Sequence, residues 1–197
     1  MRLMLTAAVA TLALMTSACN NSADDTTDAN MVDELAMNDM AMNDVNMAGA
    51  DTTAMPLTAA AFAAMIAGGN LYEIEAGKLA ETKAVNPDCR KMGTMLVTDH
   101  TKQQDMLRTA AAASAPSVTL PTAVPPEHQA HLDALKAATG AEFDRLFLAQ
   151  QKEAHTKMLA ALKAYAESGD SPSLKAFAAK AVPGVEQHLN KVASMKM

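Results

Sequence analysis

Tryptophan is absent from this 197-residue chain, and aromatic residues make up only 3% of it. No segment alternates Val, Ile, Tyr or Thr with polar residues over the length of a strand, which argues against a β-sandwich or barrel. No basic patch with interleaved aromatics occurs, so nucleic-acid binding is not expected. Nucleophile triads, phosphate-binding glycine loops and zinc-protease motifs are likewise missing. Cysteine is confined to Cys19 and Cys89. The first falls in an apparent export signal, so Cys89 is a lone thiol, read as a small buried hydrophobe. Lys and Arg are missing from residues 20–55, which carry eight acids: Asp24, Asp25, Asp28, Asp33, Glu34, Asp39, Asp44 and Asp51. The formal net charge of −6 is therefore unevenly spread, and residues 56–197 are nearly neutral, with 14 acids against 15 bases.

What is present in quantity is Ala, Leu and Met, all good helix formers. The chain begins Met1-Arg2, then runs apolar from Leu3 to Met15, and reaches Thr16-Ser17-Ala18-Cys19. The apolar run is too short to be a stable membrane span and has the shape of a signal peptide. Small residues before a cysteine resemble the lipobox of bacterial lipoproteins. The resemblance implies a signal peptide over residues 1–18, lipidation of Cys19, and attachment to the membrane by acyl chains that each contribute about 0.8 kcal/mol per buried methylene. Asn20, in place of the Asp that holds such proteins at an inner membrane, points to an outer membrane and a periplasm-facing domain.

Residues 19–56 form the next unit. They hold no aromatic residue and little that could make a core, so they read as a disordered acidic tether, extended by charge repulsion. Met31, Met37, Met40, Met42, Met47 and Met55 enrich this stretch in thioethers, which are soft ligands that select Cu(I). Met40-Ala-Met42 is a minimal pair for such a site, but with no fixed geometry the composition reads first as a low-complexity linker.

From residue 57 to 197 the start and stop signals mark an all-α domain. Thr58 precedes a helix running to about Lys83. Asn86-Pro87-Asp88 opens a second with a cap, a proline at the first helical position and an acid at the positive end of the dipole. A Pro-rich stretch follows, with a short helix over Glu127–Ala137. Thr139 and Glu142 have the spacing of a capping box opening the third long helix. Ser171-Pro172 opens the fourth, in which Pro183 is expected to produce a kink. The layout is two helical hairpins joined by a long crossover carrying a short extra helix, the arrangement of a ferritin-like four-helix bundle.

Each helix then carries polar residues on or beside its apolar face, at about 100° per residue. Glu73 sits on the face made by Phe62, Met65, Ile66, Gly69, Tyr72, Ala76, Leu79 and Ala80. On the second helix His100 flanks a face that contains Asp99 and Gln103. On the third, Gln151 lies in the face and His155 beside it. On the fourth, His188 lies on the face. A buried carboxylate needs a partner or a metal. Glu73, His100, His155 and His188 are a plausible ligand set for a transition-metal ion, with Asp99, Gln103 and Gln151 available to orient the imidazoles. The competing reading is a metal-free network of hydrogen bonds. Counting back from each turn places His100 level with Leu71 to Glu73, and leaves His155 and His188 offset by about one turn. His128 and His131, at i and i+3 on the short helix, read as solvent-facing.

The stretches Tyr72–Ala80, Asn86-Pro87, Asp99-His100-Thr101-Lys102, Leu120-Pro121, Gly140–Asp144, His155, Ser168-Gly169-Asp170, Leu174–Ala178, Pro183 and His188-Leu189 resemble a bacterial envelope family of ferritin-like domains of unknown function. The resemblance implies the four-helix fold over about residues 57–195. It does not imply ferritin chemistry, because di-iron sites use Glu-x-x-His and this chain has none: Val97, Lys152 and Val185 stand three residues before the helix histidines. Three functions remain: a metal-binding envelope lipoprotein, a non-catalytic envelope module acting through its surface, and an oxidoreductase. The last needs an open coordination position and a substrate pocket that the sequence does not reveal, so the reading leans away from an enzyme.

Overall fold

The computed structural model describes residues 57–195, and among them there are five helices and no strand. The signal segment 1–18, Cys19 and the tether 19–56 lie outside the described residues. No described helix is long and apolar enough to cross a membrane.

Helix α1 (Ala59–Lys83) starts at Thr58, whose Oγ1 accepts from the Ala61 amide at 3.3 Å. Helix α2 (Pro87–Ala112) starts as the sequence predicts, with Asn86 Oδ1 accepting from the Asp88 amide at 2.8 Å. Helices α3 (Pro126–Ala137), α4 (Gly140–Ser168) and α5 (Pro172–Ser194) complete the domain. The capping box at Thr139 does not form: Gly140 takes φ +58°, and the Thr139 side chain makes no cap bond. A left-handed residue in the first turn carries the Thr139 hydroxyl away from the amide it would cap. Helix α5 continues through Pro183, which leaves the backbone without one donor.

Two antiparallel hairpins, α1–α2 and α4–α5, pack together, with α1 against α4 and α2 against α5. The first hairpin is tight because glycine faces glycine: a Cβ on Gly77 would lie 2.7 Å from the Gly93 carbonyl oxygen, and one on Gly93 would lie 2.6 Å from that of Gly77. Its turn is held from the other hairpin. The buried Asp144 carboxylate of α4 accepts from the Val85 amide at 3.2 Å and the Asn86 amide at 2.8 Å. Helix α3 lies on α1 and α4, and Pro125 just before it fills the space above Gly68.

The apolar core falls into two clusters. One contains Phe62, Ile66, Leu107, Leu162, Tyr165, Phe177 and Val185, with the Phe62 and Tyr165 rings stacked at 3.8 Å. The other contains Tyr72, Met92, Leu96, Leu135, Phe143 and Phe147. Fully burying each large side chain contributes about 1.5–3 kcal/mol. Each long helix carries buried polar residues where the two clusters adjoin: Asn70 and Glu73 on α1, His100, Gln103 and Gln104 on α2, Gln150, Gln151 and His155 on α4, His188 on α5.

The buried face of α1 is broader than periodicity suggests. Ala63, Ala67, Asn70 and Gly77 join it, whereas Met65 is 42% exposed. Helix α1 touches α2, α3 and α4, so more than one stripe of it is covered.

Candidate metal centre

Three imidazoles from three helices meet in this polar layer. One ligand-capable nitrogen from each of His100, His155 and His188 lies within 4.8 Å of the others, and all three residues are buried. The one-turn offset expected between His155 and His188 is closed by side-chain direction. Helical side chains lean toward the helix N-terminus. In an antiparallel hairpin His155 therefore leans away from the turn and His188 leans back toward it. Their Nε2 and Nδ1 atoms end 3.2 Å apart.

The outer nitrogen of each ring is held by an acceptor. Asn70 donates its amide to Gln104 Oε1 at 3.0 Å, which orients its own Oδ1 to accept from His100 Nδ1, also at 3.0 Å. His155 Nδ1 donates to the Gln151 backbone carbonyl at 2.9 Å. His188 Nε2 donates to Asp99 Oδ2 at 2.9 Å. A neutral imidazole has one N–H, so spending it on the outer acceptor leaves a lone pair on the inner nitrogen. The inward atoms are thus His100 Nε2, His155 Nε2 and His188 Nδ1. His100 Nε2 is buried with no hydrogen-bond partner. Burial, then the neighbouring His155 and His188, holds His100 well below the ordinary imidazole pKa, and burial lowers His155 to about 4. Both are neutral and ligand-competent at pH 7.

Three lone pairs facing one another, one of them orphaned, are costly unless a cation accepts them. The donor set fits a transition metal: imidazole suits Cu, Zn, Fe and Ni, and the outer acceptors supply the orientation and basicity that ligating histidines require.

The remaining sequence-predicted residues take different places. Glu73 is fully buried, but its Oε1 lies 3.7 Å from Nδ1 of His155, on the edge of the ring turned away from the inward nitrogens. Neither oxygen has a hydrogen-bond partner, and burial raises its pKa to about 8, so it is mostly protonated at pH 7. The Gln151 side chain is near enough to temper that rise but forms no hydrogen bond of good geometry. Gln151 orients His155 through its backbone. Gln103 makes no hydrogen bond to a histidine; its amide points to Met158 Sδ at 3.9 Å. Asp99 is the acceptor beside His188 Nε2.

Asn70 and Gln104 were not legible as part of the site. Both look like ordinary polar residues in sequence, and only the pairing of α1 with α2 joins them to His100. His128 and His131 do not simply face solvent. His128 stacks on the buried Tyr72 ring at 5.0 Å and His131 meets it edge-on at 6.1 Å, because α3 lies across α1. Tyr72 donates to Gln150 Oε1 at 2.9 Å, and Gln150 donates to the His131 carbonyl at 3.2 Å. This pair does not join the three-histidine cluster.

Among families, the one described as Domain of unknown function (DUF4142) matches residues 44–195. No curated protein matches the chain. Among solved structures, CopM in the Cu(II)-bound form superposes with a TM-score of 0.56 at 18% identity, covering 71% of this chain and 95% of that one. CopM in the Cu(I)-bound form gives a TM-score of 0.57 at 17% identity, covering 70% and 94%. At such identities the likeness is one of fold.

Proposed function

The chain belongs to the family described as Domain of unknown function (DUF4142), and from that premise we propose that it is a transition-metal-binding lipoprotein of the cell envelope, with copper as the favoured ion. The observation that carries the reading is the convergence of three inward imidazole nitrogens whose other nitrogens are all spent on fixed acceptors. His100, His155 and His188 would hold the ion, and it would accept the lone pairs that otherwise oppose one another. Nitrogen donors bind Cu(II) more tightly than the other first-row divalent ions. The related fold in CopM occurs in Cu(II)-bound and Cu(I)-bound forms, which supports the choice of copper. Anchoring rests on Thr16-Ser17-Ala18-Cys19, and the domain would face the periplasm from an outer membrane.

The test is a thermal melt of metal-free protein titrated with Cu(II), Zn(II), Fe(II) or Mn(II). Binding only to the folded state raises stability by about 2.7 kcal/mol when free ion reaches 100 times Kd. The largest rise is expected with Cu(II), and equal melts with and without metal would refute the centre. For the anchor, Cys19→Ser should move the protein from the membrane fraction to the soluble fraction; retention at the membrane refutes lipidation.

A further inference from the structure

The three histidines are not equally enclosed. His100 and His155 are completely covered, whereas His188 ends at a groove between α2 and α5. The groove has a volume of about 290 Å³; Asp99, Lys102, Gln103 and Met106 line it on the α2 side, and Lys180, Gly184 and His188 on the α5 side, so Asp99 is its one acidic group and faces two lysines. His188 spans two environments. Its Nδ1 faces the centre, 3.2 Å from His155, and its Nε2 faces Asp99, whose side chain is 46% exposed. No other histidine of the cluster has an outer partner in contact with solvent: Asn70 is fully buried, and the partner of His155 is a backbone carbonyl inside α4.

Around Gly68 and Gly69 of α1 the polar layer is closely packed, and the cavity beyond Gln104 stops at the Gln104–Asn70 pair and reaches no histidine. A Cβ on Gly69 would lie 2.8 Å from Met158 Cε, and one on Gly68 would lie 2.5 Å from Pro125 Cγ. Gly184 is the opposite case, since a Cβ there would meet nothing within 4 Å. Its missing side chain is what leaves the α5 wall of the groove open. One residue earlier, Pro183 lacks the amide that would bond the Ala179 carbonyl, so this stretch of α5 is tied by one hydrogen bond fewer.

We propose that the α2–α5 groove is the route by which metal enters and leaves the three-histidine centre, with Asp99 and His188 as the residues that exchange it. Asp99 offers a carboxylate at the solvent boundary. It is the first anionic donor an incoming cation meets, and it is already joined to the one ligand that reaches both sides. Rotation of the His188 ring toward Asp99 withdraws Nδ1 from the centre and opens the cluster on the groove side, while His100 and His155 stay in place. The inference rests on the metal-binding reading above, and it concerns rates, whereas that reading concerns affinity.

The test compares the wild type with Gly184→Phe and Gly184→Leu, which put bulk into the groove one turn before His188 and replace no ligand. Folding of both is checked by circular dichroism, and Ala164→Phe, at an exposed position on α4, serves as the control. Full-length protein is loaded with Cu(II) and mixed with excess EDTA, and the loss of the copper absorption band is followed. Loading of metal-free protein with Cu(II) is followed in the same way. Filling the groove should slow both loading and release by about tenfold or more, while the dissociation constant, their ratio, stays within about threefold of wild type. The control should exchange at the wild-type rate. If wild type binds Cu(II) and both filled variants exchange as fast as it does, the groove is not the route and the centre itself stands. If wild type takes up no Cu(II), the metal-binding reading fails and the route fails with it.

Discussion

His155 Nε2 and His188 Nδ1 face each other at 3.2 Å, and the other nitrogen of each ring has an acceptor within 2.9 Å. Each ring has committed its N–H to an acceptor on its other side, His155 to the Gln151 carbonyl and His188 to Asp99. Rings so arranged, each with an N–H turned outward, present two nitrogens to a cation, and His100 adds the third.

This arrangement separates two substitutions that look equivalent in sequence. His188→Ala removes an inward nitrogen and should abolish the rise in melting temperature that Cu(II) gives the wild type. Glu73→Gln should keep that rise, because the carboxyl group lies at the outer edge of His155 and, with its pKa raised to about 8 by burial, is already mostly neutral at pH 7. A melt series of both variants at pH 7, with and without Cu(II), checks this. Loss of the rise in Glu73→Gln would place the carboxylate among the ligands.

Asp99 acts on the metal through His188. Asp99→Ala should weaken Cu(II) affinity by about 10- to 100-fold, the usual effect of removing a carboxylate that orients a ligating histidine. The metal-free melting temperature should change little, since the Asp99 side chain is 46% exposed. Competition titration against a chelator of known affinity measures the first, and calorimetry the second.

Asn70 is fully enclosed and serves two partners at once. Asn70→Leu strands His100 Nδ1 and Gln104 in the interior, at a cost of about 1–3 kcal/mol for each unsatisfied group. It also frees His100 to adopt the other tautomer, so Cu(II) affinity should fall together with stability. Urea denaturation of metal-free protein reads the first effect. Unchanged affinity in a folded Asn70→Leu protein would show that the tautomer is set elsewhere.

The Cys89 thiol is fully buried, and burial, aided by the Asp144 and Asp88 charges, raises its pKa from 9.0 to about 11. It should react with Ellman's reagent at pH 8 only after unfolding in urea. Because the folded pKa lies above the unfolded one, the neutral thiol contributes stability that is fully present below pH 9 and is lost as pH rises through about 11. A stability profile from pH 8 to 11.5 for wild type and Cys89→Ala should diverge at the alkaline end.

The long helices were legible because their ends are written locally: Thr58, Asn86-Pro87 and Ser171-Pro172 each stand at an observed start. Thr139 and Glu142 failed as a capping box because Gly140 between them adopts a conformation their spacing cannot report. The histidines were legible as polar interruptions of apolar faces, although their meeting depends on the opposed lean of side chains in antiparallel helices. Asn70, Gln104 and the Asp144 clamp were not, since each becomes informative only when a partner distant in sequence is beside it. The packing of α1 against three neighbours, with Met65 exposed and Asn70 covered, is likewise a property of the packed domain and leaves no periodic trace.

The polar layer divides the apolar interior into two clusters along all four long helices. Without an ion, the groups at this waist include five buried side-chain atoms with no partner, on Glu73, His100 and Gln151. The two ends of the bundle are then joined by helix backbone across a layer that adds little cohesion of its own. An ion held by α2, α4 and α5 at that level would act as a crosspiece between the hairpins, turning two adjoining cores into one cooperative unit. Amide protons flanking residues 100, 155 and 188 would then be the ones whose hydrogen exchange slows most on loading, and the transition of the loaded protein would be the steeper of the two.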